Sequence, residues 1–155
     1  MDEPKVINLA HSVLTARIIG CFYDVRRELG HGYSEAVYQR AMAIALRQAG
    51  AQAREGVPLP VHFRGLHIGT FEADLVVDDT ILVEIKAAAT LEGYAQAQLM
   101  NYLKAAGGGV GLLLNFGRRG EFKRIVLGDV ENSLPRLNLV PPGAGSCAPT
   151  RTNTG

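Results

Sequence analysis

The most informative alternation of apolar and polar positions lies between Phe71 and Lys86, FEADLVVDDTILVEIK. Val76, Val77, Ile81, Val83 and Ile85 favour strands, and Asp78-Asp79-Thr80 favours a turn. The stretch therefore reads as a hairpin of strands Phe71–Val77 and Ile81–Lys86. Residues two apart in a strand share a face, so Glu84 and Lys86 point the same way. The face taken by Asp74 depends on the loop. A two-residue loop pairs Val77 with Thr80 and sends Asp74 away from Glu84, whereas the loop Asp78–Thr80 pairs Val77 with Ile81 and sets Asp74 across from Glu84. Three ionisable groups in an apolar hairpin are costly unless they converge, which selects the second register.

The remaining pattern surrounds this hairpin with helices and strands. Val6, Leu9, Val13, Ala16, Gly20 and Tyr23 follow a helical stripe, which predicts a first helix from about Lys5 to Leu29. A second helix is expected from Tyr33 or Ser34 through Leu46, ending at Gly50, with Glu35 in its first turn, where the helix dipole favours a carboxylate. Glu35, Tyr38 and Met42 share one face of it, and that face is expected to pack on the same side of the sheet as Glu84. Leu59–Phe63 reads as an edge strand or a strand end because of Pro58 and Pro60, followed by a turn at Arg64-Gly65 and a long strand Leu66–Val77. His62 and His67 flank that turn and read as ordinary hairpin residues. After Lys86 come a helix from about Leu91 to Ala106, an apolar run Val110–Phe116 suited to a strand buried on both faces, and a strand Phe122–Leu127. Gln98 and Tyr102 lie four apart on one helical face. Arg118, Arg119, Lys123 and Arg124 form either a phosphate-attracting patch or a solvated loop.

Composition narrows the class. With 155 residues, 47% hydrophobic and 20% charged, the chain suits one globular domain over residues 1–130, followed by a disordered Pro/Gly/Ser/Thr-rich tail over 131–155. A formal net charge of +1 argues against a protein that coats nucleic acid nonspecifically, though not against a local basic groove. No apolar stretch is long enough for a membrane span, and the acidic start MDEPKVINLA lacks the layout of a secretion signal. Cys21 and Cys147 give neither a disulfide framework nor metal-ligand spacing, so a cytoplasmic protein is expected.

Two carboxylates and an ammonium converging on one sheet face suit a hard divalent cation, since magnesium takes oxygen ligands from one or two carboxylates and keeps several waters. A neighbouring lysine can then orient or help deprotonate water. The same spacing is also met by a solvent-facing amphipathic strand in which Asp74 pairs with Lys86.

The order of elements, with Asp74 and Glu84-Ile85-Lys86 in the central hairpin, resembles the PD-(D/E)XK nuclease superfamily. A closer resemblance is to its GxxExxY branch, carried by Gly32-Tyr33-Ser34-Glu35-Ala36-Val37-Tyr38 and by the blocks VPLPVHFRG, FEADLVV, ILVEIKA, AQLMNYL and VGLLLNFG, over roughly residues 8–127. The resemblance implies an α/β (α+β) mixed-sheet fold of order α-β-β-β-α-β, here with an extra N-terminal helix and a further C-terminal strand. It implies a Mg²⁺- or Mn²⁺-dependent nuclease acting on nucleic acid, DNA favoured over RNA. Asp74 and Glu84 would be metal ligands, with the Ile85 carbonyl as a third oxygen. Glu35 would complete or bridge the metal site, Lys86 would be the catalytic lysine, and Gln98 a polar accessory near the substrate phosphate. Cutting both strands of a duplex takes two sites or two events, which makes a homodimer an expectation.

Overall fold

The computed structural model describes residues 9–128. The start of the first helix before Leu9, the domain boundary near residue 130 and the tail over 131–155 lie outside the described residues. Two helices, α1 (Leu9–Leu29) and α2 (Glu35–Gln48), precede three strands, β1 (Ala53–Phe63), β2 (Leu66–Val77) and β3 (Ile81–Lys86). Helix α3 (Gly93–Ala106) then leads to β4 (Gly109–Asn115) and β5 (Glu121–Leu127). The strands form one sheet in the order β1-β2-β3-β4-β5. It is mixed: β3 and β4 run parallel, joined through α3, and the other neighbours run antiparallel. This is the expected α-β-β-β-α-β order with an added helix at the front and an added strand at the end.

Each face of the sheet is covered. Ile18, Phe22 and Val25 of α1, with Tyr38, Met42 and Leu46 of α2, pack on Val77, Ile81, Val83, Ile85, Leu112 and Leu114. On the opposite face Leu99, Leu103 and Ala106 of α3 pack on Val76, Leu82 and Leu113. With both faces dry, β4 is buried along its whole length, as its uninterrupted apolar run requires. Helix α3 lies so close to β4 at Gly111 that a Cβ there would come within 2.9 Å of Leu99 Cδ1.

Strand β1 is longer than expected because its prolines are tolerated. Pro58 and Pro60 lie two apart on an edge strand, so both missing N–H groups face away from β2. The β2–β3 turn takes the three-residue form: Val77 pairs with Ile81, and Asp78 and Asp79 adopt φ of 50° and 52°, a conformation that Asp tolerates better than most residues. Asp78 also fixes the turn to the start of β1, its Oδ1 accepting from the Gln52 N–H at 2.7 Å. No helix among the described residues is long and apolar enough to cross a membrane.

Tyr38 is fully buried and stacks on Phe116, ring centroids 4.5 Å apart. Its hydroxyl donates to the Gly30 carbonyl at 2.6 Å and accepts from the Tyr33 N–H at 3.2 Å, which ties the α1–α2 loop to the core. Tyr38→Phe keeps the ring and removes both bonds. It should cost about 1–2 kcal/mol in urea unfolding with an unchanged far-ultraviolet circular dichroism spectrum; a cost below about 0.3 kcal/mol would show that water replaces the hydroxyl.

Candidate active site

The β2–β3 ladder runs through Val77↔Ile81, Val76↔Leu82 and Leu75↔Val83 and stops there. One more step in this register sets Asp74 opposite Glu84, but side chains take over from the ladder. Asp74 Oδ2 accepts from the Ile85 N–H at 2.7 Å, and Glu84 Oε1 accepts from the Asp74 N–H at 3.2 Å. The interruption has a backbone origin. Phe71 and Ala73 pack with the α3 core, whereas Leu75 and Val77 pack with the α1/α2 core, so strict alternation slips at Asp74. Gly56, with φ of 60°, lies on β1 between the partners of Ala73 and Leu75 and allows the local twist.

Glu84 is buried on the α3 side of the sheet. Lys86, two residues on, faces the same side, and its Nζ donates to Gln98 Oε1 of α3 at 3.4 Å. Tyr102, one turn further along α3, stacks on Phe71. Its hydroxyl is pushed up to about 12 by burial and by the charge of the Glu84 carboxylate. Asp74, Glu84, Lys86 and Gln98 are thus brought together.

Glu35 arrives differently. The expectation that its helix crosses the Glu84 face is not met: α2 packs on the opposite face with α1. The amphipathic stripe of α2 is satisfied by either side of a sheet that is covered twice, and the stripe does not encode which. Glu35 stands exposed at the first residue of α2 and acts on Asp74 through its charge. The four basic residues Arg118, Arg119, Lys123 and Arg124 do not form one patch either. Lys123 pairs with Leu113 and Arg124 with Leu112, whose side chains belong to opposite cores.

Two residues absent from the sequence reading hold this arrangement. Gln39, one turn after Glu35, donates from Nε2 to the Asp74 carbonyl at 3.0 Å, fixing the backbone where the alternation slips. Asn115 is fully buried; its Oδ1 accepts from the Ala88 and Gly117 N–H groups, both at 3.0 Å, and its Nδ2 donates to the Ala88 carbonyl at 2.9 Å. It pins the segment that leaves Lys86. The available signal was a lone amide closing the otherwise apolar run VGLLLN.

Electrostatically the carboxylates are strained against each other. Burial pushes Glu84 up to about 8, with Asp74 adding repulsion and Lys86 opposing it. Burial also raises Asp74, less completely buried than Glu84; the Ile85 N–H and Lys86 favour its ionised form, while Glu35 adds repulsion. Glu84 is therefore the acid that holds a proton near neutrality. Among the described residues no group of three or more His, Cys, Asp or Glu side chains converges on one point. Asp74 and Glu84 do come together, and paired carboxylates are the oxygen donors that a hard divalent cation takes.

A raised pKa carries a definite sign. Between about pH 4.5 and 8 the folded protein keeps a proton on Glu84 that the unfolded chain has lost, so this group's contribution falls as pH rises across that window. In metal-free urea unfolding, Glu84→Gln should remove at least about 1 kcal/mol of that pH dependence, equivalent to roughly 2–4 °C in Tm. Parallel curves for the two proteins from pH 5 to 8 would contradict the assignment.

Comparison with known proteins adds the following. A family model described as the PD-(D/E)XK nuclease superfamily matches residues 12–125. No curated protein matches the chain. A solved structure described as "Crystal structure of SSO0001" is similar at 19% identity with a TM-score of 0.47, over 65% of this chain and 54% of that one. The present chain thus spans about half the length of that protein's chain.

Proposed function

This chain belongs to the PD-(D/E)XK nuclease superfamily, and from that premise we propose that it is a metal-dependent nuclease of the GxxExxY branch, hydrolysing phosphodiester bonds of DNA or RNA. The observation that carries the reading is the exchange between Asp74 and Glu84 at the end of the β2–β3 ladder, with Lys86 on the Glu84 face and tied to Gln98. Superfamily members typically use a divalent metal and bind nucleic acid, and the residues present suit both.

Asp74, Glu84 and the Ile85 carbonyl would hold Mg²⁺ or Mn²⁺, with Glu35 bridging from the end of α2. A divalent cation bound there supplies Lewis-acid polarisation of a phosphoryl oxygen and makes water more acidic. The chain's own residues do the remainder. Lys86 has three N–H donors, of which one goes to Gln98, leaving two for the attacking water and for charge developing on the phosphate. Gln98 holds the ammonium in place. Glu84 must give up its proton for the pair to serve as ligands, so cation affinity should increase as pH rises toward 8. DNA is the favoured substrate, a reducing cytoplasm the compartment we assign, and a homodimer the assembly that a duplex substrate would require.

A second reading has its own observation. Asp74 and Glu84 already satisfy each other's strands through backbone N–H groups, so the acidic pair can serve as a structural clasp in a nuclease fold that binds nucleic acid or a protein without turnover. One set of variants separates the two. For the nuclease, Asp74→Ala and Lys86→Ala each lose Mg²⁺-dependent cleavage by about a hundredfold or more on a mixed DNA and RNA panel, with circular dichroism unchanged. Isothermal titration should show Mg²⁺ or Mn²⁺ binding to the wild type and none to Asp74→Ala. Undiminished cleavage in both variants would remove this site from catalysis; no cleavage and no cation binding by the wild type would establish the clasp.

A further inference from the structure

Helix α3 buries Leu99, Leu103 and Ala106 against the sheet. Beside that buried stripe runs another, Tyr94, Gln98, Asn101 and Ala105, at helical steps of four, three and four. Its ends differ in chemistry. Tyr94 is 80% exposed, more than any other tyrosine or phenylalanine among the described residues. At the other end, Asn101, Lys104 and Ala105 face Pro60, Val61 and His62 of β1 across a cleft of about 470 Å³. Midway, Gln98 holds Lys86. From Tyr94 to Lys104 the helix advances about 15 Å, the span of about four stacked nucleotides in one strand.

The geometry points to a binding track for a single strand of nucleic acid along α3, with a base stacked on Tyr94, the strand passing over Gln98 and Lys86, and a flanking phosphate in the cleft between Lys104, Asn101 and His62. The track rests on the nuclease reading for what happens midway along it. Its size and chemistry favour one strand over a duplex. An exposed ring at one end and a cation in a cleft at the other is the combination that recognises unpaired bases and a single backbone. The cleft has room for about one nucleotide. A broad cationic face for a duplex is not formed by the basic residues of β5, because Lys123 and Arg124 point to opposite sides of the sheet. Lys104 supplies an ammonium, His62 a ring nitrogen and Asn101 both donor and acceptor, a set that suits phosphate and sugar.

The test is binding by the full chain, followed by fluorescence anisotropy in EDTA, with a labelled 15-nucleotide single-stranded DNA, the matching RNA and the matching duplex. The wild type should bind a single strand at least about tenfold more tightly than the duplex, and the DNA and RNA arms identify the sugar it prefers. Tyr94→Ala should weaken single-strand binding about tenfold. Lys104→Ala should weaken it too and lower the slope of log affinity against log salt by about 0.7. Arg119→Ala, on the β4–β5 turn, should bind as the wild type does. Tighter binding of duplex, no binding of nucleic acid at all (as for a cleft that receives a protein segment), or wild-type affinity in both α3 variants would overturn the track. Failure of the nuclease reading looks different. If Tyr94 and Lys104 govern binding but no divalent cation supports cutting, the track stands and hydrolysis falls. If Lys86→Ala abolishes cutting while Tyr94→Ala and Lys104→Ala cut with wild-type KM, hydrolysis stands and the track falls.

Discussion

The central constraint on this fold is the handover at Asp74, where a backbone ladder ends and side chains continue it. Beyond Leu75↔Val83, β2 no longer pairs with β3, yet the Ile85 N–H needs an acceptor because Ile85 is buried. Asp74 provides it, and the Asp74 N–H is in turn satisfied by Glu84. Each acid therefore completes the other strand's backbone, at the cost of placing two carboxylates together in a poorly hydrated place. An apolar residue at either position would relieve the repulsion and leave a buried N–H unpaired. The same pair is thus needed by the sheet and mutually repulsive, a repulsion that a proton on Glu84 relieves.

Support for the pair comes from both faces of the sheet. From the α1/α2 side, Gln39 fixes the Asp74 carbonyl, while the charge of Glu35 at the start of α2 works against the ionised Asp74. From the α3 side, Gln98 positions Lys86, and Tyr102, stacked on Phe71, feels the charge of Glu84. Asn115 then anchors the segment following Lys86 to the end of β4. Parallel pairing of β3 with β4 makes this possible, since it brings Lys86 and Asn115 side by side. Within Gly32–Tyr38 the labour divides: Tyr38 closes the α1–α2 loop on Phe116, while Glu35, three residues earlier, acts on Asp74 through its charge.

The hairpin was legible in the sequence because its information is local. Strand parity fixes Glu84 with Lys86, and the cost of stranded charges selects the three-residue turn that sets Asp74 against Glu84. The edge position of β1 and the double burial of β4 follow from equally local signals, the prolines of β1 and the unbroken run of VGLLLN. What was not legible depends on long-range geometry. The face on which α2 packs is set by the path of the chain, and both faces of this sheet accept an apolar helix. Gln39 and Asn115 are amides whose partners lie 35 and 27 residues away, respectively, so spacing along the chain carries no sign of them. The slip of alternation at Asp74 falls opposite Gly56, a left-handed residue on a different strand.

Direct observation of the Glu84 carboxyl tests the claim that these acids form one coupled site. Carbon-13 carboxyl shifts, followed by NMR from pH 4 to 10 without metal, should show Glu84 titrating near the value of about 8 set by burial and Asp74. Asp74→Asn should move it downward, and saturating Mg²⁺ should return it toward the ordinary carboxylate range. Titration of Glu84 as an ordinary glutamate, unmoved by Asp74→Asn and by Mg²⁺, would contradict the account.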